Sequence, residues 1–360
     1  MKKKICLITM DITLKGGIER VVCNMANTLV FENNVEIISF FKTNSKGTYI
    51  INKNVKLNYL YKNVSFSYQS YKIWLLIALI SNRKYFLKWN FDKIIIMYPI
   101  ISILLIILYP NLRNKIIVSE HSEYFSQGYI LRFFRKLIYP MVNTIVTLTN
   151  SGKNNFAKVG LSAVVIPNSV TDFKSTSQWN SKKIVENEIN CLFAGRFEPV
   201  KQVKHVLQVA LKTKNIRHIK YNLLGDGPEY ESLKNYAEIN VLKNVKFHGN
   251  VSNICEFYEK NSILIVTSLT EAFPMVVIEA MSFGCVVIGY DSQVGTCEII
   301  IDGKNGFIVP SGDIEMVYKK IIFLANNIKV FESMSKEALL TSFKYENVKV
   351  IESWKSLIQS

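Results

Sequence analysis

The stretch "KKICLITMDITLKGGIERVVCNMANTLVF", residues 3–31, decides the fold. After two lysines it runs apolar without alternation to Met10, as a strand covered on both faces does. A Gly16–Gly17 pair then opens a helix with Ile18, Val21, Val22, Met25 and Leu29 on one face. The strand signal returns in "VEIISFF" (35–41), "VKLNYL" (55–60), "DKIIIMY" (92–98), "NKIIVSEH" (114–121) and "NTIVTLT" (143–149), the later ones separated by helical stretches. That βαβα rhythm predicts a parallel, doubly wound sheet.

"VVIPNSV" (164–170) closes this half, and the polar residues 171–188 read as a linker. A second α/β run follows: "NCLFAGRF" (190–197), "IKYNLLGDG" (219–227), "NVKFHGNV" (244–251), "SILIVTS" (262–268), "CVVIGYD" (285–291) and "GFIVP" (306–310). The expectation is α/β, with a Rossmann-like domain at 1–170, a second at 183–342, and a terminal helix at 343–360 packing back on the first. Two such domains face a central cleft, with ligands at the carboxyl ends of the strands.

Composition agrees. The 360 residues exceed one ordinary core, and 49% hydrophobic with 20% charged content excludes global disorder. Six scattered cysteines without a C-x-x-C pair point to a reducing compartment and no structural zinc. Residues 1–170 carry 22 Lys+Arg against 7 Asp+Glu, while the rest of the chain is nearly balanced. A codon bias toward lysine would act on both halves, so the asymmetry points to an anionic partner: nucleic acid, a membrane surface or a phosphorylated lipid.

"MKKKICLITMD" has a basic start, but Asp11 cuts its apolar run short, so no export signal is read. "IIIMYPIISILLIILY" (94–109) holds Pro99 and is shorter than the roughly 20 residues of a spanning helix. It reads as a strand, Lys93–Tyr98, and a helix from Pro99. "WLLIALISNRKYFLKW" (74–89) and "YILRFFRKLIYP" (129–140), the latter with Arg132, Arg135 and Lys136 among large apolar groups, read as interfacial segments. Ordinary helices packed on the sheet are the open alternative.

The chemistry lies at strand ends. Gly16 and Gly17 permit close backbone approach at a helix N-terminus. The absence of G-x-G-x-x-G counts against NAD or FAD. In "FAGRFEPVKQ" (193–202), Gly195 ends a strand, and Arg196 and Lys201 converge as a fork and a point charge suited to a diphosphate. "LLGDGPEY" (223–230) and Gly249 form neighbouring loops that could touch a nucleoside. In "TEAFPMVVIEA" (270–280), Glu271 sits in a strand-end loop and Glu279 in the next helix, with Pro274 in its first turn and Gly284 at its stop. Eight residues apart, the two acids suit two parts of one elongated ligand. The N–H groups of Phe273, Met275 and Val276 lie between them for a phosphate.

Together "GGIERV", "GRFEPVKQ", "GDGPE", "EAFPMVVIE" and "CEIIIDGKNGFIVP" resemble the retaining GT-B glycosyltransferases of family 4, over nearly the whole chain. The resemblance implies that Glu279 binds the donor ribose and that Glu271 lies at the transferred sugar. Arg196 and Lys201 would neutralise the diphosphate, and Gly16 and Gly17 would lie beside the donor phosphates and acceptor. His121, in "SEHSEY", matches the family's first-domain histidine near the donor sugar. No D-x-D motif occurs, so no catalytic metal and no cofactor are expected. The implied donor is a nucleotide-diphosphate sugar, expected to be a UDP-sugar. The implied acceptor is a saccharide or a polyprenyl-diphosphate-linked saccharide in capsule or lipopolysaccharide assembly. The place is the cytoplasm, peripheral at the inner face of the membrane on an anionic surface, with no nucleic acid.

Two departures stand out: Lys201-Gln202 where the family often has Lys-Gly, and Asn168-Ser169 where it has Asn-Gly. Three alternatives stay open: a nucleic-acid-binding protein, a catalytically inactive family member and, among enzymes, a nucleotide-sugar epimerase.

Overall fold

A computed structural model describes residues 2–62, 71–170, 188–292 and 295–360. The chain forms two compact units, residues 1–169 with 347–360, and residues 170–346. The linker reading at 171–188 falls, but for its last residue, outside the described residues.

The first unit is built on a parallel sheet of β1 (Lys4–Thr9), β2 (Asn34–Lys42), β3 (Lys56–Lys62), β4 (Lys93–Ile96), β5 (Ile116–Glu120), β6 (Thr144–Thr147) and β7 (Val164–Val165). Its order is β3-β2-β1-β4-β5-β6-β7. The pleat explains the continuous apolar run of residues 5–8. Ile5 and Leu7 enter a layer with α1 (Gly17–Leu29), while Cys6 and Ile8 enter the opposite layer. That second layer is covered by α2 (Tyr71–Ser81), α3 (Arg83–Leu87), α4 (Pro99–Leu108), α5 (Tyr129–Ile138) and α6 (Asn150–Ala157). Tyr98 is the N-cap of α4 rather than the end of β4, because Pro99 fits a first helical turn. No helix among the described residues is long and apolar enough to cross a membrane.

The second unit repeats the plan with β8 (Ile189–Ala194), β9 (Ile219–Leu224), β10 (Val245–Gly249), β11 (Ile263–Val266), β12 (Val286–Tyr290) and β13 (Gly306–Val309), in the order β10-β9-β8-β11-β12-β13, all parallel. Its helices are α7 (Val203–Lys212), α8 (Tyr230–Ile239), α9 (Cys255–Lys260), α10 (Met275–Ser282), α11 (Thr296–Ile299), α12 (Ile314–Asn326) and α13 (Ile328–Ser342).

The last helix, α14 (Asn347–Gln359), belongs to the first unit and buries Val350, Ile351, Trp354 and Ile358 beside α1. Lys3 Nζ donates to Ile358 O at 2.7 Å, and Asn347 Nδ2 to Thr28 Oγ1 at 2.8 Å.

Candidate active site

At the carboxyl edge of the second unit's sheet, the loop after β8 is held by the loop after β9. Gly195 N donates to Leu224 O (3.0 Å) and Phe197 N to Asp226 O (2.8 Å). Gly225 and Gly227 have φ of +131° and +156°, and a β carbon on either would collide with the backbone of Gly195 or Phe197. The glycines of "GDGPE" are thus required by packing, which fixes the loop that carries Arg196. Gly249 (φ +63°) accepts from Gly225 N at 2.8 Å, and its own β position faces open space.

Lys201 ends a 3-10 turn, Pro199–Lys201, and Gln202 follows in a left-handed conformation, φ +47°. That conformation explains why glycine suits this position, and Gln202 adopts it at a cost of about 1 kcal/mol. Lys201 O accepts from Thr267 Oγ1 (2.8 Å), and Leu269 N donates to Val200 O (2.9 Å). Lys201 Nζ is ion-paired with Glu271 Oε1, which also accepts from Ser268 Oγ at 2.8 Å. Arg196 does not join this pair. Its side chain is 70% exposed, with Nε 3.0 Å from Glu198. Arg196 and Lys201 each hold a separate acid, because Glu198 lies in Arg196's own loop. So exposed a pair is weak and readily exchanged for a ligand.

The loop before α10 carries Glu271. Pro274 is the N-cap, outside the first turn, because its ψ of 95° is extended while its carbonyl already accepts Val277 N at 3.0 Å. Phe273 is buried and packs edge-on to Tyr345 at 5.6 Å, so only its backbone could serve a ligand. Met275 and Val276 open the helix, half-buried. Glu279 is buried, and Tyr258 Oη donates to its Oε2 at 2.8 Å. Gly284 (φ +74°) ends the helix. Gly295 (φ +83°) leaves no room for a side chain against the backbone of Glu271 and Ala272, and so props the loop from outside.

In the first unit, Gly16 is the N-cap of α1 and Gly17 its first residue. A β carbon on Gly16 would overlap Glu19 Oε2, whereas one on Gly17 would meet nothing within 4 Å. Glu19, three residues past the cap, folds its carboxyl back beside Gly16. It is buried, and Tyr98 Oη donates to its Oε1 at 2.6 Å. Burial pushes its carboxyl above the ordinary range. Asp11 shapes the loop ahead of it, accepting from Thr13 N and Thr43 N, both at 2.8 Å. Gly16 is therefore glycine for the sake of Glu19, and Gly17 is the one open to a ligand. His121 follows β5, with Nε2 3.2 Å from Ser119 Oγ, in a small cleft lined by Met25, Asn168, Ser169 and Trp354. Burial pushes its imidazole down to about 4, so it is neutral at physiological pH.

Sequence reading missed Glu19, Ser268, Tyr258 and Gly295. The acid three residues after the glycine cap was a visible signal for Glu19. The others depend on neighbours distant in sequence.

Residues 15–172 match the family described as glycosyltransferase family 4, and residues 175–340 the family described as glycosyl transferases group 1. An uncharacterized glycosyltransferase of Haemophilus influenzae is 28% identical, over 99% of this chain and 100% of its own length. A Campylobacter jejuni protein is 26% identical over 95% of each chain; it is named as an α-1,4-N-acetyl-D-galactosaminyltransferase acting on a diNAcBac-PP-undecaprenol-linked GalNAc disaccharide. Among solved structures, sucrose-phosphate synthase from Thermosynechococcus elongatus superposes with a TM-score of 0.85 at 16% identity, covering 99% of this chain and 98% of that one. Anabaena HepE in complex with UDP and glucose superposes at 0.79, also at 16% identity and covering 99% of both. At such identity the likeness speaks for the fold alone, which is GT-B. With the two family profiles matched in tandem over most of its length, the chain belongs to the family 4 (group 1) glycosyltransferases.

Proposed function

We propose that the protein moves a sugar from a nucleotide-diphosphate sugar, with a UDP-sugar expected, to a saccharide or polyprenyl-diphosphate-linked acceptor, retaining the anomeric configuration. The observation that carries this reading is the Lys201–Glu271 pair with Ser268 at the strand edge. It holds a cation for a diphosphate and a carboxylate for sugar hydroxyls at one point. Glu279, anchored by Tyr258, takes the donor ribose, with the backbone of Phe273, Pro274, Met275 and Val276 toward the phosphates. Gly195 and Gly249 leave room for the nucleotide. His121, held neutral, offers a hydrogen bond near the donor sugar, and Gly17 lets the acceptor approach.

In this reading Arg196 and Lys201 stabilise the leaving diphosphate, which takes the acceptor's proton on the face where the new bond forms. Electrostatic stabilisation of that charge is the main contribution of the protein, with no metal required. The polyprenyl acceptor named for the Campylobacter relative supports a lipid-linked acceptor here, in polysaccharide or glycolipid assembly. The basic first unit would then work at the inner face of the cell membrane. The names of both full-length relatives favour transfer over epimerisation.

A nucleotide-sugar screen for hydrolysis and for transfer to saccharide acceptors tests the reading. Arg196→Ala and Lys201→Ala should each lower turnover about 100- to 1,000-fold, the scale of one lost transition-state donor. NMR of the product should show the donor's anomeric configuration. Wild-type turnover in both variants, or an epimerised donor formed without acceptor, overturns it.

A further inference from the structure

Just over half of the large apolar side chains that the described chain leaves exposed lie between residues 73 and 141. They do not scatter. Ile73, Leu76, Ile77 and Ile80 come from α2, Ile107 and Leu108 from the end of α4, and five more from α5. α4 packs against both α2 and α5, and all three contribute to one core layer, so their outer sides share one face of the first unit.

α5 is turned around relative to an ordinary surface helix. Tyr129, Ile130, Phe133, Phe134 and Leu137, spaced as one helical stripe, face outward at 38–75% exposure. Its buried side instead carries Arg135, fully enclosed, ion-paired with Glu120 and lying over the rings of Tyr124 and Phe156. Arg135 is therefore not among the cations facing outward, which corrects the sequence reading. A soluble surface does not keep a stripe of this size in water without use for it.

We propose that this outer face of α2, α4 and α5 is a docking surface for an anionic lipid bilayer, held by insertion of apolar side chains more than by charge. The proposal rests on the reading of the first unit as the membrane-facing one. The charges choose the occupant. Residues 71–87, 99–108 and 129–141 contain no acid, while Lys72, Arg83, Lys84 and Lys136 are exposed around the apolar groups. A second copy of the chain would bring the same basic surface and be repelled, whereas anionic headgroups complement it.

The test is flotation of the full chain with vesicles of phosphatidylcholine alone or with about 30% phosphatidylglycerol, in low and in about 1 M salt, where headgroup attraction is screened. The chain should float with anionic vesicles and keep most of that binding at high salt. The combined variant Ile130→Ser, Phe133→Ser, Leu137→Ser should bind at least tenfold less, with unchanged circular dichroism. Lys136→Gln should weaken the preference for anionic vesicles and leave high-salt binding intact. The triple variant should transfer sugar to a soluble acceptor at the wild-type rate, so a failure of docking is distinguishable from a failure of the transferase reading. Binding lost entirely at high salt, a triple variant that floats like wild type, or a chain dimer that the triple variant dissociates, each overturns the proposal.

Discussion

Gly16 and Gly17 stand side by side with opposite reasons to be glycine. The room a side chain would need at Gly16 is taken by the Glu19 carboxyl, itself held by Tyr98. Gly16→Ala should therefore lower stability by about 1–2 kcal/mol, the scale of a lost helix cap. Most of that cost should vanish when the change is made in a Glu19→Ala background. A double-mutant cycle by denaturant unfolding checks this, with additive costs as the contrary result. Gly17→Ala should unfold like wild type. At this scale the sequence was legible where position after a strand determines location: Arg196, Lys201 and Glu271 lie in the loops that follow β8 and β11, and Glu279 in the helix after the second of them. It was not legible where a role depends on a distant partner. Nothing local says that Lys201 meets Glu271 across 70 residues, or that Gly295 leans on the loop holding Glu271.

At the scale of elements, α5 shows what periodicity leaves undecided. Its amphipathic spacing is plain in the sequence, but spacing does not say which side faces the core. Here one arginine goes inward because β5 ends in a buried acid, Glu120, and because Tyr139 donates to the same carboxyl. Taking both charges from water together is tolerable; stranding one is not. Glu120→Gln or Arg135→Met alone should destabilise by about 3–5 kcal/mol, and Glu120→Met with Arg135→Met together should recover most of that loss. Denaturant midpoints with unchanged m-values measure it, and a double variant no better than the singles would count against a true ion pair. The strands were easier to read, since a buried parallel strand needs apolar side chains on both faces and shows as an unbroken run. β7 is the exception: two residues in the ladder, inside a segment read only as the close of the first half.

At the scale of the molecule, both doubly wound units follow from the alternation of strand and helix signals, and the last stretch reads as a helix able to pack back on the first domain. That it completes the α1 layer was not legible, because the contact spans the length of the chain. Val350, Ile351, Trp354 and Ile358 are each buried, worth about 1.5–3 kcal/mol apiece. A chain ending at residue 346 should keep a cooperative second unit and lose the first, seen as selective proteolysis of residues 1–169. Equal protection of both units would refute it.

The path of the chain has a consequence for biosynthesis. The first unit leaves the ribosome first and is completed last, because the segment that closes its apolar layer is translated only after all of the second unit. Throughout that interval the α1 side of the nascent sheet is open and in need of shielding. A transcript cut short anywhere downstream would yield a product bearing the same open surface, and so recognisable to quality control as unfinished.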